Sequence, residues 1–183
     1  MENRCVLAVS GTPGTGKTTA CEALTALGWE VLSLADLASE HGCLEEVDSN
    51  DGAAPIDIHR LAEAWEAPKN GRYLMDGHLA HFLEVDGVVL LRCRPSILQE
   101  RLIQRQYSEA KIRANVEWEM TSGHWAELLE FEIDVPVVEF DTASMATDAL
   151  VKAIDAWANN GLASADLNQQ ASEAIDWLGE SLN

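Results

Sequence analysis

The chain has 183 residues, of which 47% are hydrophobic, so it is long enough for one domain with a sizeable core. Its 31 acidic and 12 basic side chains give a formal net charge of −19, which disfavours binding to bare nucleic acid or to an anionic membrane. The sequence has no apolar run of about 18 residues and no secretory leader, so we expect a cytoplasmic protein without a membrane span.

Short apolar runs predict five strands, at residues 6–9, 30–34, 72–75, 87–93 and 136–140. Helical spacing predicts helices at residues 18–27, 36–41, 56–65, 95–106, 108–132, 149–157 and 171–178, with Ser108 as a cap. The acidic segment 43–55, which contains Gly, Asn and Asp, predicts a mobile loop. Strands that alternate with helices indicate an α/β fold, in which helices flank a five-stranded parallel sheet.

The four cysteines and the acidity each have two interpretations. Cys5, Cys21, Cys43 and Cys93 are scattered, so we expect reduced, mostly buried thiols, and the spacing gives little support to a metal site. The negative charge fits solubility in a salt-rich cytoplasm, and it also fits a basic protein partner. The two explanations of the charge are compatible.

A phosphate-binding motif lies between the first predicted strand and the first predicted helix. Residues 11–18, GTPGTGKT, match G-x-x-x-x-G-K-[ST] at every fixed position. The glycines let successive backbone N–H groups point at phosphate oxygens, Lys17 supplies a positive charge, and the Thr18 hydroxyl suits magnesium. A chance Gly-rich turn is the alternative. We therefore expect ATP to contact a set of five residues, Gly14, Gly16, Lys17, Thr18 and Thr19.

An acidic residue and a histidine follow the third predicted strand. Asp76 ends the apolar run 73–75, where a carboxylate would lie close to the magnesium ion and its waters. His78 follows two residues later and could orient a water molecule or a phosphate oxygen. The alternatives are turn residues without a catalytic role. We expect Thr18 and Asp76 to hold the metal, and Asp76 and His78 to act in catalysis.

Two groups of arginines are further candidates. Arg101 and Arg105 are four residues apart on one helix, so a cation there could close over the transferring phosphate. Arg92 and Arg94 flank the end of the fourth predicted strand and are candidates for contacting the nucleotide base. Solvated helix charge and a plain strand exit are the respective alternatives.

Together these motifs resemble the adenylate kinase isoenzyme six family, across about residues 5–130. The resemblance rests on the GTPGTGKTT loop, SLADLA at 33–38, DGH at 76–78, RLIQRQY at 101–107 and NVE at 115–117. It implies a P-loop, nucleoside monophosphate (NMP) kinase-like fold with an NMP-binding segment at 33–58 and a lid at 104–114. It also implies that Arg105 contacts ATP and acts in catalysis. Residues 1–160 would form this domain, and residues 161–183 a helical extension.

The resemblance implies two activities, phosphoryl transfer from ATP to AMP and separate ATP hydrolysis, with Mg²⁺ as cofactor. It also implies a role in late maturation of the small ribosomal subunit, through a transient complex with the basic platform ribosomal protein numbered eleven in the universal scheme. Three hypotheses follow: an NMP kinase of AMP or broad preference, an ATPase-driven assembly factor, and a nucleotide-gated binding module with negligible turnover. The intact Lys17, Thr18 and Asp76 argue against the third.

The sequence departs from the family pattern at three positions. The arginine that often follows Asp-Leu-Ala is Ser39, which removes a phosphate-binding charge from the NMP segment. Ordinary adenylate kinases carry an arginine after the Asp-Gly-x-Pro step, where this chain has Leu79-Ala80, and the usual Gly before the lid tyrosine is Gln106. Arg60 and Arg72 are the candidates to replace the missing charge.

Overall fold

The structure, a computed structural model, describes residues 4–46 and 54–179. One parallel sheet, in the order β2-β3-β1-β4-β5, contains β1 (Cys5–Ser10), β2 (Glu30–Ser33), β3 (Arg72–Asp76), β4 (Gly87–Arg92) and β5 (Val137–Asp141). The helices are α1 (Lys17–Leu24), α2 (Leu34–Glu40), α3 (Ile58–Ala64), α4 (Pro95–Gln104), α5 (Glu109–Met120), α6 (Gly123–Glu130), α7 (Thr147–Asn159) and α8 (Leu167–Ser172). Short 3₁₀ helices span Thr25–Leu27 and Ala80–Phe82.

The five predicted strands and the parallel α/β fold are confirmed, and the two central strands β1 and β4 are buried on both faces. In β1, Val6 and Ala8 enter the core formed with α2, α3 and α6, whereas Leu7 and Val9 enter the core formed with α1 and α7. Side chains alternate between the faces of a strand, so helices on both sides are needed to bury such a run. The resulting order puts β1 in the middle of the sheet, with β3 and β4 beside it.

The predicted helix over residues 108–132 is wrong in one respect, because it is two helices. Ser108 caps α5 as predicted, accepting a hydrogen bond from Lys111 N at 3.3 Å. The break comes at Ser122, whose φ of 53° is left-handed. Arg92 Nη2 donates to the Glu119 carbonyl at 2.8 Å and to Ser122 Oγ at 3.3 Å. The Arg92 side chain, which comes from β4, thus binds a backbone carbonyl at the end of α5.

The predicted C-terminal helix over residues 171–178 is also wrong. The helix found there, α8, begins earlier, after Asp166, whose side chain accepts from Gln169 N at 3.1 Å. Beyond it, Ile175 N donates to Glu139 Oε2 at 2.9 Å, and Trp177 is buried. The backbone amide that a helix would use is therefore bound by a carboxylate of β5.

Part of the predicted loop over residues 43–55 is paired backbone. Leu44 and Ile56 form an antiparallel bridge, and Glu45 N donates to the Pro55 carbonyl at 2.9 Å. Residues 47–53 of that loop, which also belong to the predicted NMP segment, lie outside the described residues.

The thiols match their prediction, since Cys21, Cys43 and Cys93 are buried, Cys5 is partly exposed, and all four are free. Within residues 4–46 and 54–179, no helix has both the length and the apolar character needed to cross a membrane.

Candidate functional site

The phosphate-binding loop joins the end of β1 to the start of α1, at the carboxyl edge of the sheet. Gly14 and Gly16 have φ values of 91° and 94°, which L side chains rarely adopt. A Cβ on Gly14 would also lie 3.1 Å from Leu98 and 3.2 Å from Leu102. These glycines let the loop turn tightly into α1, so the backbone N–H groups of the helix N-terminus are available to an anion.

The Lys17 side chain lies against its own loop. Its Nζ donates to the carbonyls of Gly11, at 2.8 Å, and Thr12, at 3.2 Å. Burial lowers the pKa of Lys17 to about 8; Asp76 opposes this shift and Arg105 adds to it. Lys17 is therefore still mostly protonated at pH 7, and a bound phosphate would stabilise this charged form.

Thr18, at the start of α1, contacts Asp76, at the end of β3. Asp76 is the last residue of β3 and pairs in register with Val9 of β1. The Thr18 hydroxyl donates to Asp76 Oδ2 at 2.8 Å. A hydroxyl and a carboxylate side by side are the oxygen donors that Mg²⁺ prefers. Two protein oxygens fit an ion that keeps water and phosphate as its other ligands. Among the described residues, no group of three His, Cys, Asp or Glu side chains could hold a metal.

Arg105 lines the same hollow as the loop. This cavity of about 150 Å³ is bounded by Gly14, Gly16, Lys17, Thr18, Thr19 and Arg105, with Pro13. The structure thus brings together all the residues predicted to contact ATP. Arg101 is different, because its Nη1 donates to the Gly14 carbonyl at 3.2 Å and to Thr142 Oγ1 at 3.3 Å. Arg101 therefore stabilises the loop by binding its backbone, whereas Arg105 lines the cavity.

His78 lines a second cavity, next to the one lined by Lys17 and Arg105. This second cavity, of about 280 Å³, is also lined by Thr12, Pro13, Asn115 and Trp118. Burial lowers the pKa of His78, and the positive charge of Lys17 lowers it further. The imidazole is neutral at pH 7, so it can orient a polar group without adding charge.

Arg92, a candidate for contacting the nucleotide base, is not available for that contact, because its guanidinium is fully buried. Arg92 Nε donates to Glu119 Oε1 and Nη1 to Glu139 Oε1, both at 2.6 Å. Both acidic partners are far away in sequence, so no local pattern reveals them. Arg94, the second candidate, is exposed and directly precedes α4.

Three polar residues at the site have no signal in the motif. Thr12 occupies a variable position of the P-loop, yet its hydroxyl donates to Glu119 Oε2 at 2.6 Å and lies 3.2 Å from His124 Nε2. Glu119 is fully buried, and His124 is 4% exposed. For Glu119 and His124, the sequence offers only a polar side chain within a predicted helix, and that signal is weak.

A larger hollow of about 690 Å³ lies away from these residues, between α4 and α5. Ile103, Tyr107, Ile112 and Val116 give it a mostly apolar lining. None of the predicted site residues lines it.

Comparison with known proteins identifies the family of this chain. Residues 7–122 match the family described as AAA domain. Three relatives are each named putative adenylate kinase. The one from Archaeoglobus fulgidus is 35% identical, over 96% of this chain and 93% of the relative. Those from Pyrococcus abyssi (40% identical, over 81% of this chain and 81% of the relative) and Natronomonas pharaonis (38% identical, over 82% of this chain and 88% of the relative) are similar to this chain over shorter stretches. A solved kinase structure from Chloroflexus aurantiacus is 19% identical, with a TM-score of 0.49 over 88% of this chain and 99% of that one. The chain therefore belongs to the adenylate kinase-like family that these relatives represent, which confirms the resemblance drawn from its motifs.

Proposed function

We propose that this protein transfers the terminal phosphoryl group of ATP to AMP or another NMP, and that it also hydrolyses ATP. The observation that carries the proposal is the contact between Thr18 and Asp76, 2.8 Å long, beside Lys17 at the start of α1. A hydroxyl, a carboxylate and an ammonium group close together support the binding of a metal-bound nucleotide. The relatives' names support the same reaction class.

Each side chain has a separate task in the proposed reaction. Lys17 and the loop amides bind the β- and γ-phosphates, and Arg105 closes over them from the lid. Thr18 and Asp76 would hold Mg²⁺, which, when bound, offsets the negative charge on the phosphate oxygens. His78 orients the attacking group. Lys17 and Arg105 act most strongly in the transition state, where charge is spread over the transferred phosphoryl group.

The predicted NMP-binding segment has fewer positive charges than the family pattern. Ser39 is exposed on α2, where the family often has an arginine. Arg72 cannot replace it, because its guanidinium stacks 4.0 Å from the Trp29 ring centre and pairs with Asp155. Arg72 also begins β3, whereas Asp76 ends it, so the two lie at opposite edges of the sheet. Arg60, exposed on α3, is the remaining candidate.

Ser39 and the net charge of −19 favour a second candidate function. In this alternative the protein is chiefly an ATPase that binds and releases a basic platform ribosomal protein in the cytoplasm, during late maturation of the small ribosomal subunit. A specific site for that partner would survive added salt and respond to the bound nucleotide. Non-specific attraction would be screened over about 8 Å at physiological salt.

One experiment separates the two candidates. ADP and free phosphate are followed from ATP with Mg²⁺, first alone, then with AMP, and then with the ribosomal protein. Lys17→Ala should lower every activity by roughly 100-fold or more, because a positioned charge on the phosphates is lost. Lys152→Ala, on the exposed face of α7, is the matched control and should change none of them. Wild-type turnover in the Lys17 variant would contradict the proposal.

A further inference from the structure

The hydroxyl of Thr12 determines which nitrogen of His124 carries the hydrogen. Thr12 Oγ1 lies 2.6 Å from Glu119 Oε2 and 3.2 Å from His124 Nε2. The hydroxyl has one hydrogen, and a carboxylate that is ion-paired with Arg92 can only accept, so Thr12 donates to Glu119. His124 Nε2 must then donate to Thr12 Oγ1. In a neutral imidazole this leaves Nδ1 as a bare acceptor.

The His124 Nδ1 acceptor is buried without a protein partner. His124 is 4% exposed, and no hydrogen-bond partner for Nδ1 is present among the described residues. Burial holds the pKa of His124 well below its usual value, and the nearby His81 and Lys17 lower it further, so the ring is neutral. A buried acceptor without a partner costs free energy, and a bound group with an N–H or O–H would recover it.

The ring belongs to the wall of the 280 Å³ cavity beside the phosphate-binding loop. His124 and His78 both line this cavity, together with Thr12 and Pro13 of the loop. Trp118 lines it too, and its indole lies edge-on to the His124 ring, at 5.7 Å and 88°. Among the described residues, no lysine, arginine or carboxylate lines the cavity.

We propose that this cavity holds the water molecule that attacks the terminal phosphate of ATP, and that His124 Nδ1 accepts a hydrogen bond from it. The inference rests on the ATP hydrolysis proposed above. A water molecule offers the donor that the bare nitrogen needs. A phosphate dianion would present only acceptors and would find no cation in the lining, so the cavity suits water better than an acceptor phosphate.

The proposed step is a single displacement. The water oxygen bonds to the γ-phosphorus as the bond from that phosphorus to the β–γ bridging oxygen breaks. The bridging oxygen leaves with the electron pair, as part of ADP. One proton of the water stays on the new P–OH group, and the other moves to a phosphoryl oxygen, giving dihydrogen phosphate. His124 orients the water and does not keep its proton, because its charged form is disfavoured by burial.

Two near-isosteric substitutions separate the two ring nitrogens. His124→Gln retains a donor at the place of Nε2 and removes the Nδ1 acceptor. His124→Asn places an oxygen where Nδ1 lies and removes the contact with Thr12. In the glutamine variant we expect ATP hydrolysis to fall by roughly tenfold or more relative to phosphoryl transfer to AMP, the effect of one lost hydrogen bond. The asparagine variant should retain a higher ratio of hydrolysis to transfer than the glutamine variant.

Equal losses of hydrolysis and transfer in the glutamine variant would overturn the inference, because His124 would then act only through Thr12 and the loop. Unchanged hydrolysis in a folded glutamine variant would overturn it while the proposed function stands. A wild-type protein that transfers phosphate to AMP but does not hydrolyse ATP would overturn both the hydrolytic part of the proposed function and this inference.

Nitrogen-15 NMR of the histidine rings, without nucleotide, supplies a readout that does not depend on turnover. We expect the His124 ring to be neutral at pH 7, with hydrogen on Nε2 and a bare Nδ1. Its signals are assigned by their loss in His124→Gln or His124→Asn. A charged ring, or hydrogen on Nδ1, would overturn the inference.

Discussion

Arg92 and Glu119 form an ion pair in which both side chains are fully buried, with 2.6 Å between Nε and Oε1. Arg92 ends β4, and Glu119 lies in the last turn of α5. The same carboxylate accepts from Cys93 N at 3.1 Å and from the Thr12 hydroxyl. Glu119 therefore connects the sheet, α5 and the phosphate-binding loop.

Glu119→Met should destabilise the protein by about 3 kcal/mol, since removing one partner of a buried pair costs about 3–5 kcal/mol and Glu139 still pairs with Arg92. Equilibrium unfolding in urea measures the change. Glu117→Met, on the exposed face of the same helix, is the control and should change the free energy of unfolding by less than about 0.5 kcal/mol. Similar losses in both variants would mean that the ion pair does not stabilise the fold.

The affinity for ATP should decrease as the pH rises above the Lys17 pKa of about 8, since only the ammonium form attracts phosphate. At about one unit above the pKa, roughly a tenth of the free lysine is protonated, so the affinity should fall by up to about tenfold between pH 7 and 9. Calorimetric titration of ATP across this range is the measurement. Lys17→Arg keeps its charge and should show a flatter profile. A flat wild-type profile would contradict the prediction.

Asp76→Asn should weaken binding of ATP with Mg²⁺ more than binding of metal-free ATP, because an amide is a poorer magnesium ligand than a carboxylate. The amide oxygen can still accept from Thr18, so the free energy of unfolding should change little. Calorimetry with Mg²⁺ and with a chelator gives the two affinities. Asp148→Asn, exposed on α7, is the control. Equal weakening under both conditions would show that Asp76 does not act through the metal.

Gln106→Gly should stabilise the protein by roughly 0.5–1 kcal/mol, because Gln106 has a left-handed φ of 59°, which costs an L residue about 1–2 kcal/mol. Its N–H donates to the Ile103 carbonyl at 2.9 Å and closes the end of α4. Gln104→Gly, within the helix, should instead lower stability by up to about 1 kcal/mol. Thermal unfolding measures both changes, and a destabilised Gln106 variant would contradict the expectation.

Features that depend on local pattern could be predicted from the sequence. Short apolar runs identify the five strands, and the P-loop residues Gly14 and Gly16 have positive φ values that L side chains rarely adopt. The Gly usual in the family at position 106 is explained by the left-handed φ found there. Asp76 lies at the carboxyl edge of the sheet because it ends β3, which pairs with β1 in parallel.

Features set by contacts between distant residues could not be predicted. The break at Ser122 and the burial of Arg92 have a common cause, since the guanidinium of Arg92 binds the Glu119 carbonyl. The C-terminal helix ends early because Glu139 binds the Ile175 amide. Helical spacing carries no information about either contact, so propensity alone extended both helices too far.

Ser39→Arg should strengthen AMP binding. Ser39 is exposed on α2, within the predicted NMP-binding segment, so a longer side chain can be accommodated there. A charge-assisted hydrogen bond to phosphate contributes about 1.5–3 kcal/mol, which corresponds to roughly a tenfold or greater increase in affinity. Calorimetric titration with AMP measures it, and adenosine, which lacks the phosphate, should show no gain.

The control for this substitution is Ser39→Gln, which adds length without charge and should leave AMP affinity close to that of the wild type. If Ser39→Arg has no effect, another cation already binds the phosphate, and Arg60, exposed on α3, is the first to test. The double variant Ser39→Arg with Arg60→Ala then tests whether arginines at the two positions can bind the same phosphate. If they can, the double variant should recover the AMP affinity that Arg60→Ala alone loses. Failure to restore it would show that position 39 does not face the acceptor, and the assignment of α2 to the NMP-binding segment would be wrong.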